Sequence, residues 1–522
     1  MSPRPALRSR LLAQGGFTMI VTLGVMLVTS LLLVATFTVA NGDIHLSHED
    51  VTQKQAYYAA LAGVQEYEYK LQANPDFWQG CETVTKSLPA EEGGERYEVS
   101  ILPASSAPKG TTTCNKAIPF QSAIEQNGTL ANTFRIKSTG FVKNPAGAYK
   151  ASAERTLIAT FRVTGFLDFI YFTNYETSDP ITYNAPAQCV NAYYSEWSKT
   201  GAECRSIVFT SGDKVEGPLH TNDSTRVEGS ASFGRKEHAP ADNVEINGGT
   251  YPSAGCGGEA KYYTATKCYT KGQKLEPPES DTSLESYVEP GYKFEGVTKL
   301  KLNGTTNKIM ATYFKEGVKT EEEIAWPENG LIYVKVNTKV GCGFKYELGN
   351  SDTAEEEKQE TGCGNVYVEG SYSKSLTVAG ENDLIIKNSV YPTSVEKSLG
   401  SAPTGTAVLG LIASHYVRVY HPCENGENQT GFLENPWIYA GILSTSHSFI
   451  VDNYECGPTM GELHVYGGIA QNYRGPVGIV GTDGYLKDYK YDDRLATDEP
   501  PYFLAPLKAG WKVIRQTAPT GG

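Results

Sequence analysis

The chain has no Gly-x-Ser-x-Gly, no His-Glu-x-x-His, no phosphate-binding loop and no dinucleotide fingerprint. The hydrolase, metalloprotease, nucleotide-dependent and dehydrogenase chemistries that such motifs carry therefore have no support in the sequence. It also lacks Cys-x-x-Cys. No histidine stands at ligand spacing from a cysteine pair, apart from a weak case in His421 beside Cys423, so no metal is expected. Beyond Arg4, Arg8 and Arg10 there is no basic cluster, and the formal net charge is −13, which argues against nucleic acid as a partner. Long periodic helices are scarce after residue 75. The 53 glycines, 33 tyrosines and 27 prolines point instead to strands and turns.

What the chain does have is one long apolar run. Residues 17–40 span 24 positions without a charged side chain, directly after Gly15-Gly16. About 20 apolar residues in helix cross a ~30 Å hydrocarbon layer. Arginines on one flank and Asp43, Glu49 and Asp50 on the other predict an N-terminus inside and the remainder outside. A cleaved signal peptide would have a core of only ~7–15 apolar residues and a better site than Thr38-Val39-Ala40. Helical periodicity continues through Ile44, His48, Val51, Gln55, Ala59, Gly63, Tyr67 and Leu71 with no intervening proline, until Asn74-Pro75. Small residues at Ala56, Ala59, Ala60, Ala62 and Gly63 permit close approach of a neighbouring element. The expected helix is about 85 Å long at ~1.5 Å per residue.

A basic leader, Gly16, Phe17-Thr18-Met19-Ile20 and an apolar helix that becomes Ala-rich and amphipathic together resemble a type IV prepilin. The phrase from Gln55 to Val64 is similar to the helix of PilX-type minor pilins. This resemblance implies cleavage between Gly16 and Phe17 by a prepilin peptidase. It also implies packing against other pilins through the helix, and engagement of a pilus assembly platform. Major pilins carry a glutamate at mature position five, and that position is Val21 here. A glutamate in hydrocarbon costs about 2.5–3.5 kcal/mol unless it meets a partner. Its absence resembles the pseudopilin placed at the tip of secretion pseudopili, and implies a minor or initiating subunit.

At 522 residues, two or three domains are expected. The fold class expected is mainly β with one long N-terminal α-helix. A leader (1–16) and helix (17–75) precede a pilin-like antiparallel head (76–165). A β-rich ectodomain (166–515) follows, carrying an insertion at about 271–330, and a frayed tail (516–522) ends the chain. In the head, strands are read at Arg96–Leu102, Thr133–Val142 and Ser152–Val163, the last two around the turn Lys143–Gly147. The apolar run Phe166–Glu176 reads as a core strand. Val-x-Gly phrases then recur: Val215-Glu216-Gly217, Val227-Glu228-Gly229, Val244–Gly248, Val368-Glu369-Gly370, Val378-Ala379-Gly380 and Val465-Tyr466-Gly467. Together with Gly405–Tyr420, Trp437–Tyr454 and Glu462–Ala470, they suggest rungs of a β-solenoid or the turns of a sandwich. Glu355–Glu360 reads as a solvated charge run.

All ten cysteines follow the apolar run: Cys81, Cys114, Cys189, Cys204, Cys256, Cys268, Cys342, Cys363, Cys423 and Cys456. An even number outside a membrane reads as disulfides, and pairing in chain order is the expectation, although sequence alone does not fix connectivity.

Two places invite a chemical reading. Around Gly212–Asp223, Asp213, His220 and Asp223 are candidates for an acid–base cleft, but Asp and Asn beside strand ends more often cap turns. The phrase is similar to a segment recurrent in PilX-N-type surface proteins, which implies no activity. In Asp483–Arg494, clustered carboxylates do not match a Ca²⁺ loop, and the tyrosines suggest an exposed contact surface, with a glycan as one possible ligand. No catalytic residue and no cofactor are expected. The function expected is a filament subunit. The alternatives are an anchored adhesin or glycan-binding protein outside any filament and, more distantly, a polysaccharide-acting enzyme on a β-solenoid.

Overall fold

The computed structural model describes residues 17–88, 95–105, 107–125, 133–143, 149–195, 204–251, 256, 258–343, 361–479, 481–507 and 510–518. The leader, Gly16 included, the turn residues 144–147 and the charge run 355–360 lie outside them. The protein is mainly β, with 39% of residues in strands against 19% in helix.

Helix α1 (Phe17–Ala73) is continuous. Its segment Thr18–Thr38 is long and apolar enough to cross a membrane and is wholly exposed. Further along, Ala56, Ala59, Ala60, Val64, Tyr67 and Leu71 are buried at helical spacing. Val51, read as part of that face, is exposed.

That sheet holds β1 (Val84–Ser87), β2 (Arg96–Leu102), β3 (Thr133–Lys143) and β4 (Tyr149–Val163), all antiparallel. Helix and sheet meet at two glycines. A Cβ on Gly140 would lie 2.5 Å from the Ala60 nitrogen and closer still to the Ala56 carbonyl, and one on Gly63 would lie 2.9 Å from Val99. The Ser138 hydroxyl donates to the Ala60 carbonyl at 2.7 Å across this contact.

A fifth strand, Trp511–Thr517, completes the sheet antiparallel to β4. Its Trp511 is buried 4.7 Å from the Phe134 ring and donates from Nε1 to the Pro75 carbonyl at 2.8 Å. This corrects the expected domain order. The ectodomain is not a C-terminal appendage ending at 515, and Gln516 and Thr517 are strand, not frayed tail. The β-rich unit is instead inserted between β4 and the last strand, because a buried tryptophan returns the chain to the first sheet.

In the inserted unit, strands stack in parallel in two adjacent columns of one curled sheet. The first column runs in space through Lys293–Glu295, Leu331–Lys335, Leu376–Gly380, Leu409–Ala413, Gly441–Ser444, the second half of Thr459–Arg474, β5 (Tyr171–Ser178), Leu219–Thr221 and Val244–Ile246. Within it Ile332, Val378, Leu411, Ile442, Ile469, Tyr171, Leu219 and Val244 lie in register and are all buried. Of the recurring Val-Gly phrases, Val244 and Val378 stand in this spine, and Val215, Val368 and Val465 stand in the second column. Val227-Glu228-Gly229 belongs to neither column, since Ser224–Val227 pairs in a separate three-stranded sheet.

Chain order differs from spatial order. The chain enters inside the stack at β5, third from one end of the first column, and its first arm builds outward to Lys261–Tyr262. Residues 270–292 then run back along the stack as a strap, and a second arm climbs from Lys293 to Tyr491 to meet the first. At the seam Ile469 pairs with Tyr171 and Tyr489 with Val215. Buried ion pairs cross it, Arg474 to Glu176 at 2.9 Å and Lys487 to Asp213 at 3.0 Å. The region 271–330 is therefore not one excursion. Lys293–Glu295 and Thr298–Asn303 are rungs with Phe294, Leu300 and Leu302 buried, and the acidic Val318–Ala325 pairs with Lys308–Lys315 as a hairpin.

The disulfides are Cys81–Cys114, Cys189–Cys204, Cys256–Cys268, Cys342–Cys363 and Cys423–Cys456. The pairs lie 33, 15, 12, 21 and 33 residues apart in the chain.

Candidate functional site

Phe17 opens α1, and Val21 lies on its exposed apolar half. The residues read as a possible acid–base cleft each have separate structural work. Asp213 accepts from the Lys487 ammonium and, at 3.0 Å, from the Thr210 amide. His220 is buried against Phe169 and Phe172, with Nδ1 2.6 Å from Glu245 and Nε2 3.1 Å from Asn222. Asp223 accepts backbone N–H groups from Glu176, Tyr194, Ser195 and Ser224. Burial pushes its carboxyl up to about 6, against the downward pull of those four donors. None is left facing a cleft with a free proton-transfer atom.

The stretch Asp483–Arg494 is not an exposed tyrosine loop either. Asp483–Tyr491 is a strand, and Tyr485, Tyr489 and Tyr491 alternate into the core. Asp488 lies beside Glu462 and His464, with ligand atoms within 4.8 Å of one another. Lys490 sits 3.0 Å from Asp488 and Lys214 3.5 Å from Glu462, so ammonium groups already neutralise both carboxylates. This is an ion-pair network in which His464 and Asp488 are buried and their lysine and glutamate partners reach toward solvent.

One site the structure offers is a cleft of about 510 Å³ between the strap and the seam. Its floor comes from the register of the stack. Asn472 lies within Thr459–Arg474, Asn174 within β5 and Asn222 directly after Leu219–Thr221, and the three fall one above another, with Asn174 and Asn472 lining the cleft. Asn222 donates to Asn174 at 2.9 Å, Asn174 to Asn472 at 2.9 Å, and Asn472 to the Ser446 carbonyl at 2.9 Å. Stacked side-chain amides satisfy one another along parallel strands as backbone amides do.

The strap is tied to this column on both sides of the cleft. Leu275 N–H donates to Asn222 Oδ1 at 3.1 Å, and Gly272 N–H to Asn247 Oδ1 at 2.8 Å. Gly272 passes so near that a Cβ would lie 2.9 Å from His220 Nδ1. Beyond the cleft, the Ser446 hydroxyl donates to the Glu279 carbonyl at 2.7 Å and the Asp281 N–H to the Ser414 hydroxyl at 3.0 Å. Between these ties Glu276-Pro277-Pro278 bows away and leaves the opening.

His447 is the best-positioned polar group in the lining. Its Nδ1 is 2.5 Å from the buried Asp179 carboxylate, which also accepts from the Tyr416 hydroxyl at 2.8 Å. The Tyr416 ring stacks on the imidazole at 4.6 Å. Nε2 has no hydrogen-bond partner among the described residues. A carboxylate and a ring thus fix the imidazole and leave one nitrogen available. Tyr473 holds Asn191 through two hydrogen bonds of 2.9 Å, from its hydroxyl to Oδ1 and from the Asn191 amide. The nearby Ser446 hydroxyl is already donating, so the arrangement suits binding better than nucleophilic attack. Sequence reasoning missed this site because Asn174, Asn222, His447 and Asn472 are far apart in the chain, and only the seam register unites them.

No protein-family model, no curated protein and no solved structure matches the chain.

Proposed function

We propose that the chain is a minor-pilin-like or pseudopilin-like structural subunit of a type IV pilus or related secretion filament, of PilX type, working by assembly and surface contact and not by catalysis. The observation that carries this reading is the two-part α1. An exposed apolar half continues without a break into a half packed by small residues on one face of an antiparallel sheet. Such a helix is anchored in the bilayer before assembly and packs against other pilins afterwards. The partners are then those pilins, a prepilin peptidase acting between Gly16 and Phe17, and the assembly platform. The parallel columns support a β-solenoid ectodomain over a sandwich, whose sheets would be antiparallel. The disulfides support an ectodomain on the oxidising side, with the N-terminus inside.

Mass spectrometry of the mature protein tests the reading. A first residue of Phe17 is expected, whereas an intact leader or a cut after Ala40 refutes it. The cleft favours a second reading, an anchored surface binder outside any filament. Shearing separates the two, since a filament subunit leaves with the sheared fraction and a plain anchored protein stays in the membrane.

A further inference from the structure

We propose that the cleft between the strap and the seam is a binding site for a neutral oligosaccharide. Its volume of about 510 Å³ falls in the range of small-molecule sites, roughly 300–1,000 Å³. Its walls are pre-formed, because the strap is tied to the stack at Asn222 on one side and at Ser446 on the other. A ligand therefore meets groups already held in place, which lowers the ordering cost of binding.

The lining selects the class of ligand. Apart from Asp179, which His447 and Tyr416 engage, and Lys274, Glu276 and Glu279 on the strap, the lining presents uncharged groups: the Asn191 and Asn472 amides, the Ser446 hydroxyl oxygen and His447 Nε2. The rim is apolar. Ile181, Val190 and Leu507, exposed by 62%, 53% and 63%, all line this one opening beside Pro277 and Pro278. Hydroxyls flanked by C–H faces, as on a neutral sugar, match both sets of groups. An anionic ligand meets Glu276 and Glu279 on the strap, while Lys274 is already shared between Glu276 at 4.0 Å and the Tyr193 ring. An acyl chain would cover His447 Nε2 without giving it a hydrogen-bond partner, which is costly. A peptide adding as a strand needs an open sheet edge, and β5 and Thr459–Arg474 are paired with each other here.

His447 is the principal hydrogen-bonding group, oriented by Asp179 and Tyr416. Asn191 is held for the same use by Tyr473. The cleft draws on residues 174–191, 274–279 and 445–473, so it exists only when the two arms have joined.

The test uses the full chain in nanodiscs, since sugar-based detergents would compete. Saturation-transfer NMR and titration calorimetry are run with neutral tetrasaccharides of glucose, galactose and N-acetylglucosamine, and with a tetragalacturonate as the charged counterpart. At least one neutral member should bind and the galacturonate should not. His447→Ala should weaken binding about tenfold, the effect of one lost hydrogen bond, and His447→Gln should recover part of it. Ile181→Ser, at an exposed position, should weaken binding several-fold whatever His447→Ala does to folding. Binding by no neutral member, preference for the galacturonate, or affinity unchanged in Ile181→Ser and His447→Ala would overturn the proposal.

Discussion

Gly140→Ala should loosen the second half of α1 from its sheet. The added Cβ would stand 2.5 Å from the Ala60 nitrogen, 3.0 Å from the Ala59 Cβ and nearer still to the Ala56 carbonyl, where ordinary contacts begin at 3.4 Å. Two of these three neighbours are backbone atoms of a helix and cannot swing aside. The helix must therefore lift by about 1 Å, and a gap of that size forfeits a quarter to a half of each van der Waals contact along the strip. Overpacking of this kind costs about 1–3 kcal/mol, and a rigid neighbour places this case near 3. Hydrogen exchange of the amides of residues 56–71, read by mass spectrometry on the full chain in nanodiscs, should then quicken about a hundredfold if opening of this helix limits exchange. Gly24→Ala is the control, because no atom lies within 4 Å of its added Cβ. Unchanged exchange in Gly140→Ala, or equal acceleration in Gly24→Ala, would refute the claim that Gly140 sets the helix–sheet distance.

Burial pushes the Asp281 carboxyl up to about 7, with the Ser414 hydroxyl opposing and the Glu381 charge adding. Its folded value exceeds the unfolded 3.8, so its favourable contribution is full below about pH 4 and is lost as pH rises through about 7, a loss on the order of 4 kcal/mol. Asp281→Asn should flatten the fall in urea midpoint between pH 5 and pH 8, and an unaltered slope would show that another group governs it. Glu176→Gln strands the buried Arg474 cation and should cost about 3–5 kcal/mol, whereas Glu176→Leu with Arg474→Met should cost much less, as read by denaturation midpoints. Trp511→Ala empties the site against Phe134 and should cost about 3–5 kcal/mol in the helix-backed sheet, lowering the first transition in a thermal scan. Coincident midpoints for that variant and the parent would mean the last strand is not part of the sheet's core.

How legible this fold is depends on the range of the interaction responsible. The helix and the strands β2, β3 and β4 are local patterns. Their periods of 3.6 and 2 appear in the sequence within a residue or two of their bounds at most ends, though β4 begins three residues before the expected Ser152. Short valine strands closed by glycine are equally visible, but they do not say which strand lies on which. A spatial neighbour such as Tyr171 for Ile469 is fixed by stacking across 298 positions. Tyr485, Tyr489 and Tyr491 misled for a related reason. Amid lysine and aspartate they read as surface, yet strand alternation sends the tyrosines inward, and Lys487 follows only because Asp213 meets it there. The asparagine column could be anticipated only by one who already knew the register.

The entry inside the stack follows from where the two ends of the inserted unit must meet. Residues 164–510 are inserted between β4 and the last strand, which pair with each other. A coil wound in simple sequence would leave its ends at opposite ends of the stack. The nine strands of the first column make eight steps of ~4.8 Å, or about 38 Å. Entering at β5, building outward, returning along the strap and climbing back brings Asp483–Tyr491 beside Lys214–Glu216, with the exit next to the entry. Arg162 then secures both, its buried guanidinium 2.9 Å from Asp168 on the entering chain and 2.8 Å from Glu499 on the leaving one. Closing a long loop costs little more than closing a short one, so an insertion of this size is tolerated once its ends coincide. The strap is what makes them coincide. It is also the wall of the cleft, so the device that lets the β-rich unit sit within the first sheet creates the cleft on its flank.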